Sequence, residues 1–175
     1  MENAMSIKVL GCPDKDFTPY VKRAAHYYSN CLLTKKMQDN LKIVIKFNKK
    51  IKDCGSAEVI GYNSSNKARE FLINIHAGLS ARDILETLAH EMVHVKQFAY
   101  NHTDETLSRW KETLVSDELD YWYQPWEIEA HGLEVGLLTK FVVSEKLWDV
   151  FEGLRDPSKP IKNTKIKWKK RKITK

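Results

Sequence analysis

His90, Glu91 and His94 form the one group in this chain whose residue types and spacing point directly to chemistry. Residues four apart on a helix project from the same face, so two imidazoles at 90 and 94 can reach a single ion at about 2.0–2.1 Å. Glu91 lies about 100° further round, beside such an ion and not on it. That combination suits a divalent metal, above all Zn²⁺, with a carboxylate that takes a proton from a metal-bound water and later returns it to a leaving amine.

A metal of this kind needs a third protein ligand and keeps a fourth position for water. The extended metzincin pattern would place glycine at 97 and histidine at 100; the chain has Gln97 and Tyr100. His102 falls just beyond the helix in a polar loop and reads as a solvated residue. The remaining candidates lie in the run from Pro125 to Gly132. On a helical wheel Glu129 shares a face with Trp126, Gly132, Leu133 and Gly136, where two glycines would permit a close approach to the first helix. A carboxylate on a small, apolar face is costly to bury unless a cation partners it. Glu129 is therefore the preferred third ligand, with His131 and Glu127 as alternatives. The face holding Glu127, His131, Glu134 and Leu138 reads as the outward one.

The elements that must hold these residues follow from periodicity and turn chemistry. Ser80, three residues before Asp83, is placed to cap a helix running to about Tyr100. Leu85, Leu88, Met92, Val95 and Ala99 gather on its far side, predicting one core face and a polar cleft on the histidine side. Pro125 opens a second helix through Val143, followed by a helical stretch over 144–154. Residues 17–39 predict one helix packed by Tyr20, Ala24, Tyr27, Tyr28, Cys31 and Leu32. Three strands are expected over 41–47, 57–62 and 70–76. Residues 101–124 read as a long loop with room for a hairpin.

Length and composition bound the rest. The chain has 175 residues, 42% hydrophobic and 30% charged, which fits one globular domain. No run approaches the roughly 18 apolar residues of a membrane span, and residues 1–10 lack a signal-peptide pattern, predicting an intracellular protein without membrane contact. Cys12, Cys31 and Cys54 are odd in number and widely spaced, which argues against disulfides and against a cysteine zinc knuckle. Nine cations and no acid lie between Lys159 and Lys175, more than the whole net charge of +6, so the remainder is mildly acidic. The expected organisation is a domain over 6–158 and a basic tail over 159–175. In that tail Ile166 and Trp168 alternate with lysines, a pattern fit either for nucleic-acid contact through phosphates and base stacking or for a solvated tail.

The segments Leu88-Ala89-His90-Glu91-Met92-Val93-His94-Val95-Lys96-Gln97 and Pro125-Trp126-Glu127-Ile128-Glu129-Ala130 resemble those of the zincin metallopeptidases, in particular small single-domain gluzincins and SprT-like or phage-type members. The resemblance spans roughly residues 42–143. It implies an α+β fold: a zincin-like domain with a short mixed sheet packed on the active-site helix and further helices C-terminal. It implies a cleft bordered by an edge strand, here 73–75, able to hold an extended peptide by strand addition. It implies zinc-dependent peptide-bond hydrolysis with Glu91 as general base and acid. Gluzincins often follow the ligand glutamate with a small residue, as Glu129-Ala130 does, whereas SprT-like members use a histidine, which keeps His131 in view. The acid that many gluzincins place four residues after the ligand is replaced here by Leu133, with Glu134 one position later. Tyr121, Tyr123 and His131 are the candidates for stabilising an oxyanion. The competing expectation is a catalytically idle zincin that serves as a nucleic-acid-associated binding module.

Overall fold

A computed structural model describes residues 5–147. They fold as a mixed α+β unit: a four-stranded sheet covered on one face by helices, with a polar loop and a long final helix closing one end.

The sheet holds β1 (Ser6–Leu10), β2 (Lys42–Asn48), β3 (Gly55–Tyr62) and β4 (Ala68–His76) in the order β1-β2-β4-β3. The first three of that order run parallel, and β3 runs antiparallel to β4. Alternation fixes the faces. Ile43, Ile45 and Phe47 of β2, with Phe71, Ile73 and Ile75 of β4, point into the core, while Lys42 and Lys46 point out to solvent.

Two strand expectations change. β1 adds a fourth strand, its Ile7 and Val9 half-buried beside β2. The segment 73–75 is interior and not an edge: Ile73 pairs with Ile45 on one side and Ala57 on the other. β3 is the edge strand on the cleft side. It carries the features edges use, a charged Glu58 and a register shift around Gly61.

The expected single helix over 17–39 is two, α1 (Thr18–Leu32) and α2 (Lys35–Gln38). Leu33 is extended, and Thr34 caps the second helix by accepting from the Met37 amide. The buried Gln38 amide donates to the carbonyls of Ser29 and Leu33, giving the Leu33 carbonyl at the break a partner and joining the Leu33 amide on Ser29. α1 buries Val21, Ala24, Ala25 and Tyr28, and the Tyr28 hydroxyl donates to the Leu85 carbonyl of the next helix.

That helix is α3 (Ala81–Ala99), capped by Ser80 accepting from the Asp83 amide as its sequence predicts. It packs on β3, β4, α1 and α4 (Pro125–Glu145), and so is buried nearly all round. The histidine side borders two cavities lined in part by Asp83, Glu86 and Glu134, as the wheel predicts, but it is far from open: His90 is 9% exposed and Glu91 5%. A two-stranded hairpin, β5 (Arg109–Trp110) and β6 (Thr113–Leu114), and a short 3₁₀ turn at Tyr121–Tyr123 occupy the loop between α3 and α4.

α4 turns the opposite way from the expected one. Trp126, Glu127, Ala130, Leu137, Leu138, Phe141 and Val142 face inward. Gly132 and Gly136 face outward, with nothing within 4 Å of a Cβ built at either. The cause is that α4 carries apolar residues on every side. Ile128 and Val135 are 56% and 49% exposed, so hydrophobicity alone does not mark its core stripe. The helix ends at Lys146 in the left-handed conformation. The helical stretch expected beyond it to residue 154, like the tail over 159–175, lies outside the described residues, apart from its first four positions. No helix among those described is long and apolar enough to cross a membrane.

Candidate metal centre

α3 and α4 together place three donor groups at one point. The Nε2 atoms of His90 and His94 lie 3.0 Å apart. The Glu127 carboxylate lies 3.2 Å from the first and 3.5 Å from the second. Ligand atoms at 2.0–2.1 Å around a tetrahedral ion are separated by about 3.3–3.4 Å, close to all three separations. His90, His94 and Glu127 form one of two groups among the described residues compact enough to hold a metal.

The outer hydrogen bonds fix which way these groups face. Gln97 is fully buried, and its amide nitrogen donates to the Trp126 carbonyl and the Glu129 carboxylate. Its amide oxygen, 2.8 Å from His94 Nδ1, must therefore accept, which makes Nδ1 the protonated nitrogen of His94. His90 Nδ1 lies 2.7 Å from the Glu134 carboxylate and is likewise the donor. Both Nε2 lone pairs are thus turned toward each other and toward a carboxylate. Such an arrangement repels itself unless a cation sits within it. The donor set and its outer partners fit a divalent metal of the zinc type.

Without a metal a proton meets part of that demand. Burial pulls the His90 imidazolium down, but its hydrogen bond to Glu127, the Glu91 charge and its bond to Glu134 outweigh burial and raise it to about 9. Burial dominates at His94 and lowers it, against the pull of Glu127 and Gln97. Glu127 is opposed by burial, yet its bonds from His90 and Tyr121 hold it below the usual carboxylate range.

Glu129, the third ligand favoured by sequence, is not part of the group. Its carboxylate takes Lys96 Nζ at 2.6 Å and the Gln97 amide at 3.0 Å, on the flank of the helix pair. His131 is half-buried one turn beyond Glu127. Its Nδ1 lies 3.2 Å from Glu134 and its Nε2 3.3 Å from the Tyr121 hydroxyl. His90, His131 and Glu134 make the second compact group, but in it the Nδ1 atoms of both imidazoles already lie within hydrogen-bond distance of Glu134. That group is an outer hydrogen-bonded layer around the first.

Glu91 stands beside the three donors. Among the described residues no hydrogen bond holds its carboxylate. Burial pushes it up to about 8, the His90 charge opposing and the charges of Glu127 and Glu134 adding. It borders two cavities, of about 460 and 580 Å³, which share Asp53, Gly55, His90, Glu91 and Tyr121. The first continues past Asp83, Glu86 and Glu134, the second past Ala57, Phe98, Leu107 and Trp126. Tyr121 projects from the 3₁₀ turn into both, its hydroxyl donating to Glu127 at 2.6 Å.

Sequence reasoning gave no part to Gln97, noted Glu134 only as an acid one position beyond the gluzincin one, and gave no part to Gly55. Two signals could have exposed the first pair: Gln97 follows His94 by three residues, and Glu134 follows Glu127 by seven, each returning to the same helix face. Comparison of the chain with protein-family models, curated proteins and solved structures gives no match.

Proposed function

We propose that the chain is a zinc-dependent metallopeptidase of the zincin type, with His90, His94 and Glu127 as the metal-holding residues and Glu91 as general base and acid. The observation that carries this reading is the convergence of two imidazole lone pairs and a carboxylate beside a second, unpaired carboxylate that opens onto two cavities. A purely structural metal would have no use for Glu91 in that place, which favours hydrolysis over an idle binding module.

Zn²⁺ bound there would supply Lewis acidity, lowering the pKa of a coordinated water toward about 7 and polarising a substrate carbonyl. The residues of the chain supply the rest. Glu134 and Gln97 hold the two imidazoles in the tautomer that ligation requires. Glu91 receives the proton of the attacking water and, standing beside the donors at the cavity wall, can carry it to the leaving amine. Tyr121, between Glu127 and His131, is within reach of the cleft as a hydrogen-bond donor to a developing oxyanion. The free side of β3 offers backbone groups to an extended peptide.

The direct test is digestion of an unfolded protein mixture by the purified chain with zinc. Cleavage should disappear with a chelator and return when zinc is restored. A preparation that binds zinc but cleaves nothing would refute the hydrolytic reading and leave only the metal site.

The metal site also carries a pH signature. Zinc must displace the proton that His90 retains up to about pH 9 in the metal-free protein. Apparent affinity should therefore rise with pH, by up to about tenfold per unit per displaced proton below that value. Calorimetric titration in buffers of different ionisation heat, between about pH 6.5 and 8.5, should record release of at least one proton per zinc. Zinc binding without proton release would contradict the assignment of His90.

A further inference from the structure

We propose that Gly55 is a positioning residue for Glu91: its missing side chain is the space in which the catalytic carboxylate sits. This inference rests on the reading of Glu91 as general base. Gly55 opens the edge strand β3 against Thr87 and Glu91 of α3, and it lines both cavities of the cleft. A Cβ at position 55 would stand 2.6 Å from Thr87 Cγ2, 2.8 Å from Glu91 Oε1 and 3.1 Å from the Asn74 carbonyl oxygen. No real Cβ tolerates the first two distances, so something must give.

The three neighbours differ in what moving costs. The Asn74 carbonyl belongs to the interior strand β4, paired on both sides, and is the stiffest. Thr87 can change rotamer, since threonine in a helix populates two. Glu91 is the loosest: its carboxylate is the far end of a three-torsion side chain, and no hydrogen bond among the described residues anchors it. An added methyl group therefore swings the Glu91 carboxylate away while leaving the donor atoms of His90, His94 and Glu127 in place, because none of them lies among the nearest neighbours of that position. The backbone conformation at 55 does not demand glycine, as Gly11 is the glycine with positive φ among the described residues. Glycine is needed there for space alone.

The test is Gly55→Ala, with Gly55→Ala/Thr87→Ser as its companion, since serine removes the methyl that makes the closest contact. Both variants should bind zinc with wild-type stoichiometry. Crystal structures of each should show the Glu91 carboxylate displaced by about 1 Å or more, a misplacement that can lower kcat by about a hundredfold while KM changes little. Relief of the Thr87 contact should restore any lost thermal stability but not kcat. Recovery of wild-type kcat in the double variant, or a Glu91 carboxylate unmoved in either crystal structure, would overturn the proposal. Should the wild-type protein cleave nothing, the peptidase reading falls, and the crystallographic position of Glu91 still decides the role of Gly55.

Discussion

Glu91→Gln is expected to keep zinc bound at full stoichiometry while lowering kcat by about 10²–10⁴-fold, the range a general acid–base group contributes. Glutamine has the same shape, so neither Gly55 nor Thr87 is disturbed, and no hydrogen bond among the described residues is lost with the carboxylate. What disappears is the ability to accept a proton. The same substitution should not weaken the metal-free protein. Burial raises the Glu91 carboxyl to about 8, with His90 opposing and Glu127 and Glu134 adding. An acid raised in the folded state lowers stability at pH values above its unfolded pKa; the deficit grows up to about pH 8 and is constant beyond. Replacement by the neutral amide removes that deficit, so metal-free Glu91→Gln should melt at or above the wild-type temperature at pH 8. Single-turnover hydrolysis, metal analysis and thermal melting of the two proteins check the three statements. Undiminished hydrolysis by the variant would end the mechanism.

The pattern of what the sequence revealed has a physical basis. The histidine helix was legible end to end, because its cap, its apolar stripe and its i,i+4 pair are all local features. Ser80 and Asp83 form the cap, and α3 begins and ends within a residue of where they and Tyr100 place it. Strands β2 and β4 were legible from alternation, but their order was not. Nothing local to Ile73 states that Ala57 will pair beside it, and strand order is set by chain crossings that span many residues.

The orientation of α4 was illegible for a different reason. A helical wheel finds the core face only if the other face is polar, and α4 leaves Ile128, Leu133 and Val135 in solvent. The two glycines then seemed to mark close packing, although they lie outside. Charged residues held the better signal. Glu127, His131 and Glu134 recur at helical spacing, and three ionisable groups on one helix face are expensive to bury without partners. Their partners are His90, His94 and Tyr121, supplied by other elements. Gly55 shows the same limit from the other side. Its meaning lies in a close approach between a strand and a helix, where a Cβ at 55 would stand 2.8 Å from a carboxylate thirty-six residues on, which no local pattern encodes.

The choice between Glu127 and Glu129 gives the sharpest contrast between two neighbouring substitutions. Glu127→Ala should lower zinc affinity by more than about a hundredfold, beyond the 10–100-fold that loss of an outer-layer partner costs. It removes one of three donors, and it also strips the Tyr121 hydroxyl of its acceptor. Glu129→Ala should lower affinity by less than about tenfold. Gln97 keeps its bond to the Trp126 carbonyl, so its oxygen still faces His94, and the loss of the largely buried Lys96 pair costs stability without touching a metal donor. Glu127→Gln separates charge from shape: it keeps a hydrogen-bond acceptor for Tyr121 but gives up the negative charge that the two lone pairs and a cation require. Its zinc affinity should fall nearly as far as that of Glu127→Ala. Competition titrations with a chromophoric chelator read all three variants on one scale. Wild-type affinity in Glu127→Ala together with a collapse in Glu129→Ala would return the third position to Glu129 and require α4 to turn by about half a revolution from the face described here, since residues two apart on a helix lie about 200° apart.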